Sequence, residues 1–311
     1  MDVRKNQHYV PEFYLKEWCF NNSNQVYVYD KVKKEIRHSN IRNVAAETYF
    51  YDYDLKDYFD EKAVSELSDR GIASNGKLQI IEKMFSNNVE REFSKACSDI
   101  IDTARKSTIW WRKNCYFVSV EMKEALSVYL AFQLMRIKAV RTSIMDSAQH
   151  VTELAHDMGI PDSAIERIAL TEKDAKKIHN NMLLNAEMVF KLSTCFFRLT
   201  WFLCINKTRK SFFTSDAPIA LIGHNDNQPA LLGTGLASPG VECVFPLSPD
   251  LLMIMVDSDY HKHMINYERA YVDMERSDMV EHYNSLISIQ AQRFIIANNE
   301  EDLKDVYRFL K

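Results

Sequence analysis

The sequence predicts a mainly helical α+β protein. A central bundle of long helices over about residues 77–195 is flanked by an N-terminal hairpin region and a C-terminal, mostly antiparallel sheet. Three observations predict this. Apolar residues recur at three- and four-residue spacing from Lys77 onward, the period of a helix with one buried face. Gly and Pro number only 7 each in 311 residues, so long elements are rarely punctuated. After Ser193 the texture changes to short aromatic and β-branched runs separated by Pro, Gly and Asn, which reads as strands. With no linker, repeat or low-complexity tract, residues 1–311 read as one domain with subregions 1–60, 61–195 and 196–311.

The elements follow in order. NQHYVPEFYLKEW opens the chain with a dense set of aromatics, one His and one Pro, where disorder is the ordinary expectation. Such a segment must be tied down to be retained. QVYVYD and KEIRHSN flank a polar turn at Asp30–Lys34 and predict a hairpin. ETYFYDYD is a short strand or an aromatic loop, residues 58–73 are helical up to Gly71, and Asn75 with Gly76 marks a turn. Three long helices are expected: from Lys77 to about Arg105, from about Val118 to Asp157 where Gly159 and Pro161 stop it, and from Thr171 to about Ser193. Thr171 followed three residues later by Asp174 is a helix-capping pattern. CFFRLTWFLCIN, KSFFTSD, VECVFPLS and LLMIMVD are expected strands, and loop 223–240, with four of the seven Gly, is the expected mobile segment. ERSDMVEHYNSLISIQAQ, RFIIAN and EEDLKDVYRFLK then read as helix, strand and helix.

Composition excludes some classes. The apolar share of 46% and charged share of 26% are those of a globular protein. A net charge of −4 argues against a dedicated duplex-DNA binder, which carries a basic balance or face. The six Cys form no C-x-x-C pair and sit among apolar neighbours, as reduced buried thiols do. MDVRKNQHYV lacks the apolar core of a signal peptide, and no apolar run approaches the ~20 residues that cross a bilayer. The expected location is therefore the cytoplasm, without a membrane partner.

The sharpest signal is polar residues where periodicity expects apolar ones. On the second long helix Met122, Ala125, Leu126, Tyr129, Phe132 and Val140 share a stripe, with Lys123, Glu124, Ser127 and Lys138 opposite. Gln133 and Arg136 fall in the apolar stripe, three residues apart and pointing the same way. A guanidinium there is costly unless paired. On the preceding helix, spacing puts Glu82 and Glu92 on the core side and Glu90 at its edge. The two helices are therefore expected to face each other, around either a buried ion-pair network or a polar cavity that holds a ligand. His8 in the opening motif and Asp216, on a loop stiffened by Pro218, are the groups that would complete a site.

Other features are weaker. His261 and His263 have alternate spacing but no carboxylate partner, and Gly233 and Gly235 lack the context of a dinucleotide loop. Trp110 and Trp111 beside Arg112 suit a buried aromatic pair better than a base-stacking platform.

The opening QHYVPEFYL resembles that of the family catalogued as domain of unknown function 4238. VYVYDK, VEREFSKACSDI, FQLMRIKAVR, FFTSDAPI, FPLSPDLLMIM and NSLISIQAQRFIIAN are similar to that family in the same order, over nearly the whole chain. The resemblance implies a mostly α, intracellular, mainly microbial protein that forms one unit. By motif position it points to His8, Glu90, Gln133, Arg136 and Asp216, whereas periodicity alone favours Glu82 and Glu92. Converging His, carboxylates, Arg and Gln suit phosphoryl chemistry, so the expected activity is a hydrolase of phosphodiester bonds, nuclease-like, acting on nucleic acid or nucleotide. A divalent metal held by the carboxylates is the cofactor such chemistry would use. The alternative is a non-catalytic binding or regulatory protein whose polar cluster is a structural lock.

Overall fold

The structure, a computed structural model, describes residues 4–21, 23–73, 76–224 and 234–310. Asn75 of the expected turn and residues 225–233 of the expected mobile loop lie outside the described residues.

The opening segment is a short strand β1 (Asn6–His8) and one helical turn α1 (Glu12–Leu15). The expected hairpin is present as β2 (Gln25–Asp30) and β3 (Glu35–Asn40). The aromatic stretch yields both of its expected forms: strands β4 (Ala46–Thr48) and β5 (Tyr53–Asp54) enclose a turn at residues 49–52. β4 pairs with β1, Gln7 opposite Glu47. Helix α2 (Glu61–Asp69) ends before Gly71, whose φ of +69° suits a residue without Cβ. Strand β6 (Lys77–Leu78) then pairs with β5.

The helical region is present, but each expected long helix is divided. The first is α3 (Ile80–Met84) and α4 (Glu90–Lys106) joined by a π-helical turn at Phe85–Val89. After α5 (Ile109–Asn114), the second is α6 (Val120–Arg136) and α7 (Lys138–Asp157), with Ile137 extended between them. After α8 (Asp162–Ile168), the third is α9 (Glu172–Leu184) and α10 (Ala186–Arg198). Neither Gly nor Pro makes these breaks. Asn185 caps α10 by accepting from the Met188 amide. At Arg136 the last-turn carbonyl is taken by the Tyr51 hydroxyl, at 3.1 Å. The Thr171–Asp174 capping box forms as the sequence indicates.

The solvent face read onto α6 is corrected. Lys123 and Ser127 are buried and Ala125 is exposed. α6 lies inside the bundle, against α10 and α4, so it has little solvent side. Lys123 satisfies its ammonium on the Leu199 carbonyl and Glu268, at 2.8 and 2.7 Å.

The strand region starts later than expected, because Cys195–Arg198 complete α10. Strands β7 (Thr200–Asn206), β8 (Thr214–Ser215), β9 (Ala220–Gly223), β10 (Val241–Ser248), β11 (Leu251–Val256) and β12 (Ala270–Met274) precede helix α11 (Ser277–Gln290) and strand β13 (Phe294–Ala297). The short helices α12 (Glu300–Leu303) and α13 (Val306–Phe309) follow. One sheet has the order β12-β7-β11-β10-β9, antiparallel except for β12 against β7. The other has the order β3-β2-β13-β8. The N-terminal hairpin is therefore not a separate flank, since it shares a sheet with strands from the other end of the sequence.

β10 and β11 are buried at every position. Strand alternation explains this. Cys243, Phe245, Leu247, Met253 and Met255 enter the core against the helical bundle, while Val244, Leu252, Ile254 and Val256 enter a second core with Val280 and Ile287 of α11. The opening segment belongs to the first core. Trp18 is fully buried and donates to the Phe212 carbonyl at 3.1 Å, and Tyr14 stacks on Phe245 and donates to the Pro246 carbonyl at 2.7 Å. The six cysteines are unpaired.

Two outcomes follow. Trp18→Ala should cost about 3–5 kcal/mol, read as a lower urea midpoint; an unchanged midpoint would mean that the segment is a loose arm. His179 is fully buried, donates from Nε2 to the Met135 carbonyl at 2.7 Å and accepts at Nδ1 from Arg141 at 3.3 Å, so it is held neutral. Burial lowers its pKa from 6.5 to about 4. The unfolded chain therefore binds this proton first. Stability from His179 is complete above pH 6.5 and declines as pH falls toward about 4. Thermal denaturation between these limits should show a slope that His179→Gln flattens.

Candidate functional site

The opening motif reads as a device for placing His8. Gln7 is fully buried. Its amide donates to Asp52 and to the Arg4 carbonyl, and its oxygen accepts the Tyr51 amide at 2.7 Å. The Gln79 amide bonds the same Asp52 carboxylate at 2.9 Å and the Arg4 carbonyl at 2.9 Å. Strand alternation then turns His8 to the face opposite Gln7.

Arg136 closes the other side. It is 1% exposed, and its Nη2 donates to the His8 carbonyl at 2.6 Å and pairs with Glu90 Oε1 at 2.9 Å. Nε donates to the Tyr51 hydroxyl at 3.2 Å, and the guanidinium lies 4.0 Å over the Phe85 ring. One turn earlier Gln133 accepts from the Tyr129 hydroxyl and donates to the Tyr9 carbonyl, at 3.0 and 3.1 Å. Two side chains three residues apart on α6 thus hold consecutive carbonyls of the opening motif. Their inward orientation agrees with the periodicity.

The choice among the three glutamates has a geometric cause. In a continuous helix Glu90 would lie about 80° around the axis from Glu82, eight residues on. The π-turn between them holds about one extra residue and rotates α4 by roughly 100° relative to α3. That rotation brings Glu90 to the side of Glu82 and carries Glu92 away. Glu92 is exposed and pairs with its neighbour Arg91, so its expected place on the core face is corrected. Glu82 is buried and accepts from Arg4 at 3.2 Å.

Asp216 is also corrected as a member of this cluster. It is buried, but its carboxylate accepts the backbone amides of Gln292, Arg293 and Phe294 at 2.9, 2.8 and 3.1 Å. None of these bonds reaches His8, Glu90, Gln133 or Arg136. Burial raises its pKa to about 6 against the three amide donors. Its work is to fix the segment that enters β13, which neither periodicity nor motif position distinguishes from a site role.

His8 and Glu90 open into a cleft of about 630 Å³ that is also lined by Arg4, Lys5, Asn6, Glu12, Phe13, Arg42 and Glu82. The Ile41 carbonyl lies 3.2 Å from His8 Nε2 and can only accept, so Nε2 carries the proton. Nδ1 is left with a free lone pair, 3.8 Å from Glu12 Oε1. Burial lowers the His8 pKa, opposed by the Ile41 carbonyl and by the charges of Glu12 and Glu90. Burial raises that of Glu82, opposed by Arg4. The cleft therefore holds an imidazole that is harder to protonate and a carboxyl that is harder to ionise than usual. Arg4, Glu12 and Arg42 were missed from the sequence; Glu12 alone had a signal, four residues beyond His8 on a forming helix. Among the described residues no three His, Cys, Asp or Glu side chains group closely enough to hold a metal, which bears on His261 and His263 as well as on the cleft carboxylates. Nor is any described helix long and apolar enough to cross a membrane.

The fold and site define an α+β, mainly α protein in which a buried arginine secures an N-terminal histidine at a polar cleft. The chain belongs to the family described as Protein of unknown function (DUF4238), which it matches over residues 6–301. No curated protein and no solved structure matches the chain.

The positioning assignments separate by stability. Arg136→Met should cost about 3–5 kcal/mol, because it strands the Glu90 carboxylate and frees the His8 carbonyl. Asp216→Ala should cost at least about 1–3 kcal/mol, since three amides lose their acceptor. His8→Ala should change stability far less. Chemical denaturation of the three variants checks this, and an equally large loss for His8→Ala would make the whole cluster a packing feature.

Proposed function

We propose that the protein is a hydrolase of phosphodiester bonds, nuclease-like in substrate, working at the His8 cleft, and that residues 1–311 act as one unit. One observation carries this reading: His8 and Glu82 line one cleft, the imidazole harder to protonate and the carboxyl harder to ionise, which favours the free base on one and the acid form on the other. Arg4, Lys5 and Arg42 line the same cleft beside Glu12, Glu82 and Glu90 and would contact an anionic backbone.

In this reading a water molecule attacks phosphorus while His8 Nδ1 takes its proton. Glu12 stabilises the resulting imidazolium. The phosphorus–oxygen bond to the leaving group breaks, and that oxygen takes the proton of Glu82. Arg4 and Arg42 stabilise charge on the phosphoryl oxygens. His8 and Glu82 then exchange their protons with solvent. Gln133, Arg136 and Glu90 position the histidine, and Asp216 fixes the segment that enters β13.

A second reading has its own support. Arg136 and Gln133 spend their side chains on backbone carbonyls, as a structural lock would. A binding or regulatory protein would need that lock without chemistry.

Hydrolysis of single-stranded DNA, RNA and a bis(nitrophenyl) phosphate ester, with Mg²⁺, Mn²⁺ or chelator, decides between them. Turnover should fall about 10²–10⁴-fold in His8→Ala, with its melting temperature near that of the parent. The acid limb of the pH–rate profile should lie below the ordinary histidine value of 6.5, because the folded imidazole is harder to protonate. Activity that survives His8→Ala, or no activity in any condition, leaves the lock reading standing.

A further inference from the structure

A second cleft, of about 550 Å³, lies between Asp52 and strand β5, the start of α7 and helix α9. It is separated from the first by Tyr51, whose hydroxyl bonds Arg136 and whose carbonyl accepts from Asn180 at 2.9 Å. Most charges lining it are matched. Lys77 pairs with Asp54, Lys138 with Glu47 and Lys173 with Asp57, and Asp52 is held by the Gln7 and Gln79 amides. Three lining cations, Arg141, Lys176 and Lys177, and one carboxylate, Glu172, are in no ion pair among the described residues; Lys177 lies 5.1 Å over the Tyr58 ring. The Arg141 guanidinium stacks 3.9 Å over Phe50 and donates only to the Phe50 carbonyl and to neutral His179, at 3.0 and 3.3 Å. Lys176 donates to the Tyr49 carbonyl at 2.6 Å. Among the described residues neither has a carboxylate partner.

Arg141 and Lys176 are adjacent and partly buried, and the cleft carboxylates act on them only at a distance, Glu47 and Glu172 on Arg141 and Asp52 and Asp54 on Lys176, so an anion in direct contact with both cations would be favoured. Two further groups await a ligand. Arg141 Nε is buried and unpartnered. Asn180, 1% exposed, is among the residues lining the cleft, and its Oδ1 is buried without a partner, an acceptor that a hydroxyl would satisfy. Tyr53 and Tyr58 supply aromatic wall on the same cleft.

We propose that this cleft binds a small molecule carrying a phosphate group and a hydroxyl, with the phosphate on Arg141 and Lys176 and the hydroxyl on Asn180. Two cations match the double charge of a phosphate monoester better than a single carboxylate. A planar guanidinium fixed on a ring presents its donors in a set direction, which suits a tetrahedral oxyanion. The volume fits a small ligand rather than a polymer groove. This site does not rest on the hydrolase reading and survives its failure.

Lys176 offers a direct readout. Burial, then the charge of Arg141, lowers its pKa to about 8, so its amine is reactive near that pH. Full-length protein would be labelled there with limiting acetic anhydride and mapped by mass spectrometry, with inorganic phosphate, citrate or chloride at matched ionic strength. Phosphate should protect Lys176 saturably and chloride should not. Arg141→Gln should weaken phosphate binding about tenfold, measured by calorimetry, while Lys191→Gln, remote on α10, should leave it unchanged. Equal protection by chloride, or no protection in the wild type, overturns the site even if Arg141→Gln misfolds. Stronger protection by citrate than by phosphate overturns the phosphate assignment.

Discussion

The bonds from Arg136 to the His8 carbonyl, the Tyr51 hydroxyl and Glu90 are the constraint on which the site depends. A guanidinium carried inside a protein is unfavourable in isolation. Here it is offset by joining four parts of the sequence: the opening strand, the aromatic turn, the start of α4 and the end of α6. Tyr51 bonds both the side chain and the carbonyl of the same arginine, so the end of α6 and the place of the guanidinium are fixed together. The helix then stops without a proline. The basic terminus is also where a cation is favoured by the helix dipole.

With Arg136 and Gln133 bound to backbone, the opening motif is understood as architecture before chemistry. Gln7 faces inward to Asp52, His8 faces the cleft and Tyr9 packs on Phe50. Tyr14 and Trp18 then anchor the segment to the sheet. What reaches the cleft is one imidazole nitrogen and a set of carboxylates with three cations around them. Preorganisation of the histidine is the condition for either catalysis or selective binding, because its backbone needs no ordering when a ligand arrives.

The broad architecture was legible in the sequence because it rests on periodicity, which each segment carries alone. The hairpin, the Thr171 cap and the inward turn of Gln133 and Arg136 are of this kind. What was not legible depends on partners remote in sequence. The π-turn at Phe85–Val89 shifts the phase of α4, so spacing counted through it assigns Glu92 inward and leaves Glu90 at the edge. Lys123 reads as solvent-facing until α10 and Glu268 arrive to cover it. Asp216 shares the signature of a site carboxylate, an acid after a strand and before a proline, yet it is spent on three amides of a segment about 80 residues further on.

The sheet β3-β2-β13-β8 carries a consequence for how the chain is made. Tyr29 lies opposite Ile295, so the β2–β3 hairpin has an unpaired edge until β13 has been synthesised. Closing so long a loop is slow compared with forming local helices. During translation the helical bundle can assemble first, while β2 waits as an open edge of the sort that chaperones shield and that aggregates recruit. The strand order therefore makes β2 wait for β13, far downstream, before that edge is covered.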